Sequence, residues 1–200
     1  MKKIIAQALQ ILQQGGIVAV PTDTVYGLAV DAANPDALDA LYVLKNRPAS
    51  KPTSVLIASA DDMSSWAKNI PDSACKLAQR FWPGALTLIL EKADQVDSKL
   101  TGGTNTIGLR VPKHPLTLTL LKQLATGLAA PSANPAGEPP AVTAKQVRDY
   151  FGNRVDLVLE GGESALQLAS TIVDCSKKTP RILREGAIAT QQIKHHMNIT

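Results

Sequence analysis

The feature that most constrains this chain is an alternation: short β-like runs and amphipathic helical patterns take turns along almost its whole length. The β-like runs are 17–20, 25–30 (interrupted by Gly27), 54–58, 86–90, 106–111, 128–130, 156–159, 171–174 and 181–183. Between many of them lie helical patterns. Ile4, Ile5, Ala8, Leu9 and Leu12 share one face and stop at Gly15-Gly16, and Asn34-Pro35-Asp36 supplies a cap, a first-turn proline and an acid for a helix running to about Lys45. Further helices are expected over 62–68, 72–81, 115–125, 144–151 and after Thr190, with Thr143 and Gln146 forming a capping box for 144–151. Strands interleaved with helices predict an α/β sandwich, and the close spacing of the late strands predicts antiparallel pairing among them, hence a mixed sheet. With 200 residues, 44% of them hydrophobic, and no linker or internal repeat, one domain over 1–200 is expected.

Several classes fall away. Cys75 and Cys175 stand a hundred residues apart with no Cys-x-x-Cys, so neither a zinc site nor a disulfide framework is expected, only two reduced, buried thiols. The opening MKKIIAQALQILQQGG is broken by Gln7, Gln10, Gln13 and Gln14, unlike a signal peptide, and no apolar run approaches the roughly 18 residues of a membrane span. A soluble, cytoplasmic protein is the expectation. The net charge of +4 permits an anionic partner without demanding nucleic acid. No Gly-x-Gly-x-x-Gly and no Gly-Lys dipeptide occur, so the common phosphate loops are absent.

What remains is a set of polar clusters at strand ends. Pro21-Thr22-Asp23-Thr24-Val25-Tyr26-Gly27-Leu28 either presents hydroxyls to a small polar ligand or is a capped turn in which Asp23 bonds neighbouring amides. Lys45, Arg47 and Lys51 are either a solvated helix C-terminus or a phosphate clamp. Arg110 alternates inside a strand-like run, where an inward side chain needs an anion and an outward one needs nothing. Ser132 and Asn134 follow an apolar strand, where open α/β sheets bind ligands, or form an ordinary turn. Ser170-Thr171 and Arg184-Glu185-Gly186 repeat the theme. His114, His195 and His196 read as surface residues or caps, and Glu160-Gly161-Gly162-Glu163 as a turn, unless an acid there helps hold magnesium.

Seven of these segments, Pro21 to Leu28, Lys45-Asn46-Arg47-Pro48, Pro83-Gly84-Ala85-Leu86-Thr87, Gly108-Leu109-Arg110-Val111-Pro112, Pro131-Ser132-Ala133-Asn134, Ser170-Thr171-Ile172-Val173-Asp174 and Arg184-Glu185-Gly186, resemble in order and spacing the motifs of the YrdC family, in its short bacterial form. The resemblance implies a single α/β domain with a twisted mixed sheet flanked by helices and a deep basic cavity. It implies a nucleotidyltransferase that makes L-threonylcarbamoyladenylate and pyrophosphate from L-threonine, bicarbonate and ATP. Magnesium would be carried by ATP rather than by protein ligands, and no organic cofactor is implied. The product would pass to a threonylcarbamoyl transferase complex that modifies tRNA next to the anticodon.

By the same resemblance Lys45 and Arg47 are catalytic, and Lys45, Arg47, Lys51, Thr106, Ser132, Asn134, Pro140 and Arg184 bind ATP. Thr24, Tyr26, Arg110, Ala130 and Ser170 form the threonine pocket. Asn46 stands where many relatives have Gly, its side chain expected to point away, and the additional C-terminal domain of longer relatives is not expected. An RNA-binding or ribosome-assembly factor using the basic cavity is the alternative, with weak tRNA or double-stranded RNA binding compatible with either. Scarce aromatics and basic runs no longer than two residues argue against it. A catalytically idle nucleotide sensor is a third reading, against which the retained Thr24, Arg110 and Ser170 speak.

Overall fold

The computed structural model describes residues 2–197. Nine strands, β1 (Val18–Val20), β2 (Gly27–Asp31), β3 (Val55–Leu56), β4 (Leu86–Glu91), β5 (Thr106–Arg110), β6 (Leu128–Ala129), β7 (Leu157–Val158), β8 (Thr171–Asp174) and β9 (Arg181–Arg184), form one sheet in the order β7-β1-β2-β6-β3-β5-β4-β8-β9. The helices are α1 (Lys2–Gln13), α2 (Pro35–Leu44), α3 (Met63–Trp66), α4 (Asp72–Phe81), α5 (Ser98–Thr101), α6 (Pro115–Leu124), α7 (Ala144–Phe151) and α8 (Thr190–Met197). The sheet is mixed: β1 with β7, β3 with β5 and β4 with β8 run parallel, and the remaining neighbours antiparallel.

Alternation along the strands divides the core in two. Ala19, Leu28 and Val30 pack with Leu38, Leu41, Leu77 and Val147 on one face. Val18, Val20 and Ala29 pack with Ile5, Leu12, Leu120 and Leu121, so α1 and α6 cover the other. Helix starts follow local chemistry. Asn34 Oδ1 accepts from the amides of Asp36 (3.0 Å) and Ala37 (3.1 Å), and the Thr143–Gln146 capping box is formed.

Three expectations need correcting. The late strands are not one antiparallel group. Only β8 and β9 pair that way, whereas β7 lies parallel to β1 in the far half of the sheet, because parallel partners come from distant sequence. The helix expected over 62–68 ends at Trp66, since Ala67 turns extended and bridges Lys92. Cys175 is buried, its thiol pushed up to about 12 chiefly by loss of water, but Cys75 lies on the exposed face of α4. Among the described residues no helix is long and apolar enough to cross a membrane.

Candidate active site

Val20 pairs with Gly27 across the β1–β2 hairpin, so the Pro21–Tyr26 motif is the connection itself. Its turn is internally tied. The Thr22 hydroxyl donates to Val25 O (2.6 Å) and its oxygen accepts from the amides of Thr24 and Val25 (3.2 Å each). Beside this turn opens a cavity of about 310 Å³ whose wall is drawn from seven strands or their ends, β2 to β6, β8 and β9. At Gly27 an added Cβ would lie 3.5 Å from both Ala130 Cβ and Pro131 O, ordinary contact that keeps β2 close to the segment after β6.

Arg110, at the end of β5, points inward and the anion that satisfies it is Asp23. Its Nη2 donates to Asp23 Oδ1 (2.6 Å), Nη1 to Thr24 Oγ1 (2.7 Å) and Nε to Gly84 O (2.9 Å). Asp23 Oδ1 also accepts from the Lys113 amide (2.9 Å), and both side chains of the pair are only 8% exposed. Burial lowers the Arg110 pKa while Asp23 opposes the shift. The capped-turn reading needs correcting in its capping residue: Thr22, not Asp23, bonds the neighbouring amides, while Asp23 reaches the distant Lys113 amide and positions a guanidinium.

Thr24, Tyr26, Arg110, Ala130 and Ser170, assigned together from the sequence, all line this cavity, as do Arg47, Ser132, Pro140 and Arg184. Ser170 Oγ lies 2.8 Å from Thr87 Oγ1, and its carbonyl accepts from Arg184 Nη2 (2.8 Å). Tyr26 OH donates to Gly162 O (2.9 Å) and accepts from Gly161 N (3.2 Å), and burial raises its pKa. Arg47 spends one nitrogen on Pro52 O (2.7 Å), while its Nε is buried with no partner. Loss of water lowers the pKa of Arg47 and Arg184, neither of which has a carboxylate partner among the described residues.

Four assigned residues lie off this wall. Lys45 is buried behind the loop after β6, its ammonium donating to the carbonyls of Ser132 and Asn134 (2.8 Å to the latter). Burial, then repulsion by Arg47, brings its pKa down to about 8. The Asn134 side chain accepts from Ser132 Oγ (2.6 Å) and donates to Glu138 O (2.7 Å), tying the loop to itself. Lys51 is exposed, and Thr106 opens β5 at the end opposite Arg110, opposite Glu91. Asn46 has φ 47° and is exposed. Glycine adopts that left-handed conformation without penalty, and asparagine tolerates it better than most.

His114 stands at the N-cap position of α6, as the cap reading had it, but its side chain bonds no helix amide: it is half-buried, with Nε2 3.2 Å from Gly161 O. Glu160 pairs with Arg148, and among the described residues no three His, Cys, Asp or Glu side chains cluster to hold a metal. Thr22 lines the cavity within the motif already singled out, whereas Thr53, Ser54 and Thr87 on its wall were not assigned from the sequence. For Thr87 a signal existed in its quoted motif, but nothing local marked its side as inward.

The Sua5/YciO/YrdC family, described as telomere recombination, matches residues 10–186. The chain belongs to this family. A Bacillus subtilis relative named threonylcarbamoyl-AMP synthase is 39% identical over 191 residues, covering 95% of this chain and 55% of that protein. A Marinobacter nauticus relative of the same name is 34% identical over 171 residues, covering 85% of this chain and 90% of that one. The solved structure of P. abyssi Sua5 complexed with L-threonine superposes with a TM-score of 0.93 at 37% identity, over 96% of this chain and 56% of that one. This Sua5/YciO/YrdC chain thus spans little more than half the length of the Bacillus relative and of the Pyrococcus structure. The twisted mixed α/β sheet flanked by helices is the family's fold.

Proposed function

We propose that the chain is an L-threonylcarbamoyladenylate synthase. The amino nitrogen of L-threonine takes up bicarbonate as a carbamate with loss of water. A carbamate oxygen then attacks the α-phosphorus of ATP, the bond to the β-phosphate oxygen breaks, and pyrophosphate leaves with its electron pair. The observation that carries this reading is the meeting, in one cavity, of Thr24, Arg110 and Ser170 with Arg47, Ser132 and Arg184. The names of the relatives and the threonine complex of the Pyrococcus protein support it.

Arg110 and Ser170 take the threonine carboxylate, Thr24 a donor group of the same molecule, Tyr26 closes the wall, and Ala130 offers backbone. Arg47 and Arg184, which have no carboxylate partner among the described residues, bind the phosphates, with Ser132 and Pro140 beside the nucleotide. Lys45 and Asn134 shape the loop that carries Ser132. Lys51 and Thr106 reach the nucleotide only where it extends past the cavity wall. Carbamate and phosphate are both anions, so catalysis consists of screening and alignment by fixed guanidiniums. Magnesium would come with ATP and offset the charge of its phosphates, and the reading calls for no organic cofactor. The product goes to a threonylcarbamoyl transferase complex acting on tRNA in the cytoplasm, where weak tRNA contact would aid transfer.

The test is to incubate the protein with ATP, magnesium, bicarbonate and labelled threonine. Pyrophosphate release that requires both threonine and bicarbonate, with a threonine-bearing adenylate as product, is the expected result. Release without threonine overturns it.

A further inference from the structure

Hydroxyl groups have one proton each, and the cavity's hydrogen bonds show where each proton goes. The Thr22 proton goes to Val25 O, so in the 2.9 Å contact between Thr22 and Thr24 the donor is Thr24, whose proton shares the Thr22 oxygen with the two longer 3.2 Å amide contacts. Thr24 Oγ1 also accepts from Arg110 Nη1. Its proton is spent, and it offers the cavity only a lone pair.

Ser170 is the opposite case. Among the described residues its only side-chain hydrogen bond is with Thr87 Oγ1, 2.8 Å away, and Thr87 Oγ1 makes no other. Thr87, on β4, is 3% exposed and Ser170 8%, both on the cavity wall. A buried hydroxyl proton without an acceptor is costly, so the deeper Thr87 donates to Ser170 Oγ and frees the Ser170 proton for the cavity.

We propose that Thr87 is a positioning residue for substrate selection. By giving its proton to Ser170 it makes Ser170 a donor, while Thr22 makes Thr24 an acceptor. The pocket is therefore polar in one direction. An anionic acceptor, the substrate carboxylate, is directed to Ser170 on the wall it shares with Arg110, and a neutral or cationic donor of the amino acid is directed to Thr24. This inference rests on the threonine reading above and adds which end of the molecule meets which hydroxyl.

The experiment measures L-threonine affinity by calorimetry for the wild type, Thr87→Val and Thr87→Ser, each checked for folding by thermal unfolding, together with KM and kcat. Thr87→Val is expected to weaken threonine binding about fivefold, as for one hydrogen bond to a charged group left poorly oriented. kcat at saturating threonine should hold, and Thr87→Ser should restore affinity. With L-threoninamide, which lacks the carboxylate, the Thr87→Val penalty should vanish. Equal weakening by Val and Ser, unchanged affinity in Val, or a penalty that persists with the amide overturns the proposal. Should Thr87→Val not fold, Thr87→Ala is measured against the same Ser control with the same outcomes. A wild type that binds no threonine overturns the threonine reading itself, and the polarity proposal with it.

Discussion

Arg110 and Arg47 stand on the same cavity, and the structure treats them oppositely. Arg110 has every guanidinium nitrogen engaged and a carboxylate 2.6 Å away. Among the described residues Arg47 has one carbonyl and a buried Nε with no partner, and a second cation, Lys45, stands behind it held only by carbonyls. The first corner is neutral before any ligand arrives, its shape fixed, with one N–H left on each terminal nitrogen for the proposed carboxylate. The second keeps buried positive charge without an anion, an arrangement that costs stability and is relieved when an anion binds. One corner is built for geometry and the other for charge.

Asp23→Ala should produce the largest change, on stability. Removing one partner of a buried pair leaves a stranded charge, and about 3–5 kcal/mol should be lost in urea unfolding. A loss under about 1 kcal/mol would mean that Arg110 relaxes to water and the corner is not rigid.

Arg47→Ala should do the reverse. Fold stability should hold within about 1 kcal/mol or rise, whereas adenylate formation should fall by about 10²–10³-fold, as when a charge-stabilising donor is removed. Near-normal turnover by the folded variant would remove Arg47 from the chemistry.

Ligand linkage gives a smaller and sharper measure. ATP with magnesium at a hundredfold excess over its dissociation constant should stabilise the protein by about 2.7 kcal/mol, read as a thermal shift. In Arg47→Ala the shift at the same concentration should shrink, and in a folded Thr24→Ser variant it should not. Equal shifts in all three would erase the division of the cavity.

The smallest effect is one of sign. The folded-state pKa of Lys45 is lowered to about 8, so the folded protein releases this proton before the unfolded chain does. Its burial penalty is fully present below pH 8 and is relieved as pH rises toward the unfolded value of about 10.4, so this group makes stability increase across that window. Cys175, raised to about 12, acts with the opposite sign at similar pH, so the informative quantity is the wild type minus Lys45→Met difference between pH 7.5 and 9.5. A flat difference would place Lys45 in water.

Both corners were visible in the sequence as lists of residue types at strand ends, and the resemblance sorted them into two ligand halves. Local rules also sufficed for the Asn34 cap and the Thr143–Gln146 box, whose partners lie within three residues. They could not show that Asp23, 87 residues from Arg110, is the anion an inward arginine requires. Nor could they show that Lys45 turns under a loop almost ninety residues away, or that Thr87 faces Ser170. Hydrogen bonds between distant segments leave no periodicity and no spacing, so the residues were legible and their couplings were not.

The strand order has a consequence in time. The cavity takes Thr24 from the first hairpin, Arg110 from mid-chain, and Ser170 and Arg184 from strands that join the sheet beside β4 only after more than 160 residues have been made. Pairing across such separations is slow relative to local helix formation. During synthesis the chain therefore emerges with Arg110 and its neighbours lacking the wall that encloses them. That wall is complete only once β8 lies against β4 and β9 brings Arg184 across Ser170.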